Sequence, residues 1–81
     1  MKNYPVKTPL QLGAILQGYR KGHSLTQAEV GTTVGLLQKE VSKIESDPSN
    51  TSVRRVFKLL AALNLELVVR KRATATKQHE W

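Results

Sequence analysis

The chain contains no cysteine among its 81 residues, which excludes disulfide bonds and thiolate metal sites and agrees with a reducing cytoplasm. No apolar run approaches the roughly 18 residues that a membrane-spanning helix requires. Residues 1–7 also lack the long apolar core of a signal peptide. We therefore expect a cytoplasmic protein that does not cross a membrane.

Residues that support catalysis or bind metals are equally sparse. The two histidines, His23 and His79, have no second ligand at a metal-binding spacing. No nucleophile is paired with a base, and neither a glycine-rich phosphate loop nor a pair of carboxylates is present. The sequence therefore predicts a protein that is not an enzyme and that uses no cofactor or metal.

Positive charge is the dominant feature of the composition. Thirteen Lys and Arg residues against six Asp and Glu give a net charge of +7, which on so small a body attracts polyanions, nucleic acid first. A membrane surface would require an exposed helix that is basic on one face and apolar on the other, and none is found. A single domain of this size is marginally stable alone, so we expect it to associate with a second copy or a partner.

Two capping boxes predict the starts of the first two helices. Thr8–Gln11 begins the first helix, which ends at Gly22, and Thr26–Glu29 begins the second, which Gly35 ends after two turns. The first helix is predicted to bury one stripe of side chains, namely Leu12, Ile15, Leu16 and Tyr19.

Two further helices follow the same periodicity. The third is predicted from about Leu37 to Glu45, and the fourth begins near Thr51 or Ser52 after a loop over residues 47–50. The residues of the third helix expected to point inward are Leu37, Val41 and Ile44. The residues of the fourth expected to be buried are Val53, Val56, Phe57, Leu60 and Leu63.

A short strand is predicted over residues 65–70, where the hydrophobic period changes to two. A lone strand has no hydrogen-bonding partner within this chain, so we expect it to pair antiparallel with the same strand of a second copy. The predicted dimerisation residues are Leu65, Leu67 and Val69. The domain then covers residues 8–70, and residues 71–81 are expected to form a flexible tail.

The second and third helices with their glycine turn form the unit that places a recognition helix in the major groove of DNA. Gln38, Lys39 and Ser42 lie on the polar face of the third helix, where Gln suits adenine, Lys suits guanine and Ser is permissive. We expect all three to contact bases, the alternative being an ordinary solvated face.

Phosphate contacts are expected beside this face. Gln27 lies in the first turn of the second helix, where free amide N–H groups and a long polar side chain hold a phosphate. Lys43 and Asn50 are the other phosphate candidates, with a plain surface role as the alternative for each. Glu45 is expected to be structural, since a carboxylate near phosphates is costly.

These segments resemble the Cro and phage-repressor class of helix-turn-helix domains over about residues 10–64. The resemblance is carried by LTQAEV at residues 25–30, VGL at 34–36 and VSKIE at 41–45. It implies a lambda-repressor-like, all-α domain of four or five helices, to which the predicted strand adds a short C-terminal β-element for dimerisation. It also implies sequence-specific binding to a palindromic operator.

Within that class, the segments at residues 63–70 (LNLELVVR) and 4–13 (YPVKTPLQLG), with the terminal Glu80-Trp81, resemble the HipB antitoxins. This resemblance implies a repressor that regulates its own operon as a homodimer and binds a HipA-type Ser/Thr kinase toxin, as the antitoxin of a type II toxin–antitoxin module. Trp81, a large aromatic residue at the end of a polar tail, is the predicted anchor for that partner, the alternative being a mobile end without a function.

Two residues depart from the class pattern. Leu37 stands where Ser or Thr usually caps the recognition helix, and Glu40 is acidic where Thr is frequent. Leu37 cannot accept the cap hydrogen bond, and Glu40 would accept from a cytosine amino group or pair with Lys43. Two alternatives therefore remain open: a phage-type or metabolic repressor without a toxin, and an interaction adaptor that has lost specific DNA binding.

Overall fold

The computed structural model describes residues 3–72, which contain four α-helices and one turn of 3-10 helix. The helices are α1 at Pro9–Gly22, α2 at Gln27–Val34, α3 at Gln38–Ser46 and α4 at Val53–Ala62, and the 3-10 turn is at Pro48–Asn50. Each α-helix begins within two residues of its predicted start. The prediction of an all-α helix-turn-helix fold is confirmed for this part of the chain.

Side-chain caps explain why three of these helices begin where they do. The hydroxyl of Thr8 accepts from the N–H of Gln11 at 3.1 Å, and that of Ser52 accepts from Arg55 at 3.1 Å. Thr26 and Glu29 form a complete capping box, in which each side chain accepts from the other's backbone N–H, at 3.0 and 2.8 Å. The sequence therefore sets the starts of α1, α2 and α4 through local hydrogen bonds.

The core lies where the four helices meet. Its buried members are Leu16, Val30, Leu36, Val41, Ile44, Leu59, Leu60 and Leu63. The crossing of α2 over the segment before α3 is close enough to require Gly31, because a β-carbon there would lie 2.5 Å from the carbonyl oxygen of Leu36. Gly35 ends α2 with a φ of 74°, a left-handed conformation that glycine adopts without strain. These two glycines fix the angle between α2 and α3.

Three residues predicted to be buried are exposed instead. Leu37 is 59% exposed because it is the N-cap of α3 and lies outside the helical stripe that Val41 and Ile44 continue. Val53 and Phe57 are 71% and 50% exposed. Leu60 and Leu63 are buried as predicted and Val56 packs against the core, but Leu59, which was not predicted, is the most deeply buried residue of α4.

The predicted strand at residues 65–70 is not present in the single chain, and residues 3–72 contain no strand at all. A strand is defined by hydrogen bonds to a neighbouring strand, and this part of the chain offers none. Leu65 instead donates its N–H to the carbonyl oxygen of Leu60 at 2.8 Å and packs against the core. Leu67 and Val69 are exposed. Residues 73–81, including Trp81 and His79, lie outside the described residues, so the tail and its anchor stay predictions.

No helix within residues 3–72 has the length and apolar character needed to cross a bilayer.

Candidate nucleic-acid interface

The outer face of α3 carries the residues predicted to read bases. Gln38 and Lys39 are exposed and Ser42 is half-buried, while Val41 and Ile44 on the opposite face are fully buried. Lys43 is exposed one turn after Lys39, so two cations point outward from the same side of the helix. The structure therefore brings the three predicted base-reading residues onto one helix, next to a predicted phosphate contact.

A chain of amide hydrogen bonds connects α2 to the start of α3. The side-chain Nε2 of Gln38 donates to Oε1 of Gln27 at 3.1 Å, and Nε2 of Gln27 donates to Oε1 of Glu45 at 3.0 Å. Gln27, predicted as a phosphate contact, thus also holds the side chain of Gln38. This leaves the amide oxygen of Gln38 available to a ligand while the direction of the side chain is fixed in advance.

The chain of hydrogen bonds ends in a buried ion pair between α1 and α3. Arg20 donates from Nε to Oε2 of Glu45 at 2.6 Å and from Nη2 to Oε1 at 3.0 Å. A third donor, Nη1 of Arg20, reaches the carbonyl oxygen of Leu25 at 2.7 Å. The two side chains are only 8% and 1% exposed, and hydrogen bonding to Glu45 raises the pKa of Arg20. The prediction that Glu45 is structural is confirmed.

Sequence reasoning missed the role of Arg20. A signal was present, because Arg20 follows Leu12 and Leu16 at four-residue intervals and so falls on the buried stripe of α1. A charged residue on such a stripe requires a buried partner of opposite charge, and its partner is 25 positions away.

The start of α3 is organised by Glu40 in place of a side-chain cap from Leu37. One carboxylate oxygen of Glu40 accepts from the N–H of Leu37 at 2.8 Å, and the other accepts from Nε of Arg55 at 3.1 Å. The bond from Leu37 is the main cause that lowers the pKa of Glu40, and the charges of Arg55 and Lys58 act in the same direction. Pairing with Lys43 was the wrong expectation, since Glu40 pairs with Arg55 of α4.

Lys43 and Asn50, the other phosphate candidates, converge on Asp47. The Nζ of Lys43 lies 3.4 Å from Oδ2 of Asp47, and Nδ2 of Asn50 donates to the same oxygen at 2.9 Å. The bond from Asn50 is the first cause that lowers the pKa of Asp47, followed by Lys43. The two candidate side chains are therefore held close together at the C-terminal end of α3.

A positively charged rim borders the start of α3. Arg54, Arg55 and Lys58 of α4 surround an open concavity of about 440 Å³, together with Ser52 and the α2–α3 turn at Gly35 and Leu36. Glu40 compensates only one of these three cations through a direct contact. The surroundings of the recognition helix are thus attractive to anions over a wider area than α3 alone.

The fold and the polar, basic face of α3 define a helix-turn-helix protein of the phage-repressor type. A family model described as Helix-turn-helix matches residues 16–69, and the chain belongs to that family. Within it the chain belongs to the HipB antitoxins. It is 31% identical over 64 residues to Antitoxin HipB of Escherichia coli O6:H1 (strain CFT073), covering 79% of this chain and 68% of that protein.

A second relative, Antitoxin HipB of Escherichia coli K12, is 30% identical over 64 residues, which cover 79% of this chain and 73% of the relative. The resemblance seen in the sequence is thereby confirmed.

Solved structures of similar proteins agree with this assignment. A structure described as "Structure of HipA-HipB-O2-O3 complex" superposes with a TM-score of 0.82 at 28% identity, covering 85% of this chain and 97% of that one. One described as "HipB-O4 20mer complex" gives the same TM-score, identity and coverage. The fold of residues 3–72 is therefore that of HipB proteins whose structures are described as complexes.

Proposed function

We propose that this protein is a sequence-specific transcriptional repressor that acts as the antitoxin of a type II toxin–antitoxin module. It binds a palindromic operator as a homodimer, represses its own operon and holds a HipA-type Ser/Thr kinase toxin. The observation that carries the proposal is the face of α3, where Gln38 is exposed and held in place by Gln27. Membership of the HipB family supports the antitoxin role.

DNA recognition is assigned to two groups of side chains. Gln38, Lys39 and Ser42 read base edges in the major groove, as expected of the N-terminal part of a recognition helix. The phosphate contacts are Gln27, Lys43 and Asn50. The charge of +7 supplies the electrostatic part of the affinity, so binding falls steeply as salt increases.

The homodimer is proposed to form through residues 65–70, paired antiparallel across a two-fold axis. Leu67, Val68 and Val69 support this because they are 57%, 67% and 91% exposed, an unusual run of apolar surface. Val53 and Phe57 of the preceding helix are exposed as well. A second copy would cover apolar side chains of this kind and would place two recognition helices about 34–36 Å apart.

The toxin-binding role rests on family membership and on the resemblance to a HipA–HipB complex. We assign Trp81 as an anchor for the kinase. The protein is proposed to act in the cytoplasm and to have no catalytic activity of its own. An aromatic anchor on a short segment contributes much of the affinity of many interfaces. Replacing Trp81 with Ala is expected to weaken binding to the kinase and leave DNA binding unchanged, and equal kinase affinity would refute the anchor.

The first test is fluorescence anisotropy of the full chain on the DNA upstream of its own gene and on a scrambled duplex, at two salt concentrations. Tight binding with a strong preference for the native sequence is expected. Lys39→Ala should reduce that preference, whereas Lys43→Ala should weaken binding to both duplexes alike. Lys21→Ala is the control, because Lys21 is exposed on α1, outside the α2–α3 unit.

Equal, weak and salt-sensitive binding to both duplexes would refute the repressor and favour the adaptor. Specific DNA binding without any affinity for a HipA-type kinase encoded beside the gene would instead favour a repressor without a toxin.

A further inference from the structure

We propose that Leu37 is a further specificity-determining residue, which contacts the 5-methyl group of a thymine next to the base pair read by Gln38. The inference rests on the proposed DNA binding and deepens it. Leu37 is the N-cap of α3, 59% of it is exposed, and it makes no side-chain cap hydrogen bond. An apolar side chain thus stands at the leading end of the helix that carries the recognition face.

Within residues 3–72, no packing role explains the side chain of Leu37. It lies outside the hydrophobic core cluster and outside the set of half-buried residues that pack against it. The hydrogen bond that organises this end of α3 uses the backbone N–H of Leu37 and the carboxylate of Glu40, which Arg55 holds in turn. A Ser or Thr at this position would add a cap, so leucine forgoes a stabilising hydrogen bond without gaining burial.

A single exposed leucine is common on protein surfaces and by itself indicates nothing. Its position next to the base-reading residues is what gives this one a function. The N-terminal residues of a recognition helix approach base edges, and Gln38, the next residue, has its side chain fixed by Gln27 at 3.1 Å. Leu37 therefore precedes a base-reading side chain whose direction is set.

The chemistry of the major groove then identifies the ligand. Every base presents hydrogen-bond donors or acceptors there, and only thymine adds an apolar feature, its 5-methyl group. Leucine has neither a donor nor an acceptor in its side chain, so burial against that methyl group is the favourable base contact open to it. The branched end of the side chain also excludes water from the same spot, which favours thymine over cytosine.

The test removes the methyl group alone. Each thymine of the native operator half-site is replaced in turn by deoxyuridine, and affinity is measured by anisotropy for the wild type, Leu37→Ala and Leu37→Ser. For the wild type, one of these single-thymine replacements should weaken binding roughly fourfold, which corresponds to about 0.8 kcal/mol per buried methyl-sized group. Both variants should bind the thymine and deoxyuridine duplexes equally at that position.

Leu10→Ala is the matched control. Leu10 is an exposed leucine in the first turn of α1, 69% exposed and outside α2 and α3, and its variant should keep the full response to deoxyuridine. Leu37→Ser introduces a hydroxyl that can cap α3, so we expect this variant to fold. Urea unfolding measures its stability.

Three results would overturn the proposal: no deoxyuridine position affects the wild type, the effect persists in both Leu37 variants, or Leu10→Ala also loses it. In each case specific binding to the unmodified operator would leave the proposed function standing. Failure of the wild type to prefer its operator over a scrambled duplex would refute that function and this inference together.

Discussion

Arg20 of α1 and Glu45 of α3 form a buried, two-pronged ion pair, with Nε–Oε2 at 2.6 Å and Nη2–Oε1 at 3.0 Å. The same carboxylate accepts from Gln27, which accepts from Gln38. The pair therefore joins two helices of the domain and also supports the side chain assigned to base reading. Stability and recognition share one carboxylate, and variants can separate the two contributions.

Removing one member of this pair should be strongly destabilising. Arg20→Met leaves the carboxylate of Glu45 buried without its cation, and we expect a loss of about 3–5 kcal/mol in the free energy of unfolding. The double variant Arg20→Met/Glu45→Leu should recover much of that loss, because no charge remains buried. Urea unfolding followed by circular dichroism measures both. Equal losses in the single and double variants would contradict this account.

The bridge between Gln27 and Gln38 should appear as energetic coupling in DNA binding. Gln27→Ala and Gln38→Ala should each weaken binding to the native operator, and the double variant should lose less than the sum by about 0.5–3 kcal/mol. The cycle Gln27→Ala with Lys43→Ala is the control, since no hydrogen bond connects those side chains among the described contacts. Additive effects in the glutamine cycle would show that Gln27 acts on DNA independently of Gln38.

Much of the fold could be predicted because its signals are local. Capping residues such as Thr26 and Ser52 act within three positions of themselves, so the helix starts can be read directly from the sequence. The pairing of Arg20 with Glu45, and of Glu40 with Arg55, depends on how helices cross, which no short window contains. Phe57 was misplaced for the same reason: periodicity predicts an apolar stripe on α4 but not which part of it meets the core.

In the candidate site, too, local features could be predicted and contacts between distant residues could not. Gln38, Lys39 and Ser42 were predicted to read bases from the motif and its polar face, and the structure places the three on one helix. The support of Gln38 by Gln27 was not found, because it links side chains 11 positions apart. An exposed side chain at Leu37 was also missed, since a residue before the first helical turn does not follow the periodicity of the helix.

Two glycines of α1 should respond in opposite ways to the same substitution. A β-carbon at Gly13 would collide with the backbone carbonyl of Glu45, whereas at Gly18 nothing lies within 4 Å. Gly13→Ala should therefore lower the stability and disturb the packing of α3 against α1. Gly18→Ala should raise it by about 0.5–1 kcal/mol, since alanine loses less conformational entropy in a helix. Thermal unfolding of the two variants tests this, and a stabilising Gly13→Ala would contradict the close packing of α1 and α3.

Glu40 should make the stability of the domain depend on pH on the acid side. Its pKa is lowered in the folded state, first by the N–H of Leu37 and then by neighbouring cations. The contribution of the Glu40 carboxylate to the stability of the domain is therefore fully present above the unfolded pKa of about 4.3, and it is lost as pH falls through the lower folded pKa. Glu40→Gln keeps an oxygen that accepts from Leu37 but removes the charge.

Wild type should accordingly be more stable than Glu40→Gln near neutral pH, and the two should converge in acid. Urea unfolding over a pH series measures the difference. A gap that stays constant down to acid pH would mean that the charge of Glu40 plays no part.

The proposed dimerisation through residues 65–70 can be tested without knowledge of the strand register. Successive N–H groups of a strand point to opposite edges, and in a two-stranded sheet only one edge is paired. Leu67→Pro and Val68→Pro therefore remove a pairing N–H in one variant and an outward N–H in the other. We expect one of the two to sediment as a monomer at micromolar concentration with its helices intact, and the other to remain dimeric, as the wild type does.

The monomeric variant should also bind a two-half-site operator far more weakly, because each copy must then associate with the DNA separately. A monomeric wild type, or two proline variants that both remain dimeric, would place the interface elsewhere, with the exposed side chains of Val53 and Phe57 as the next surface to alter.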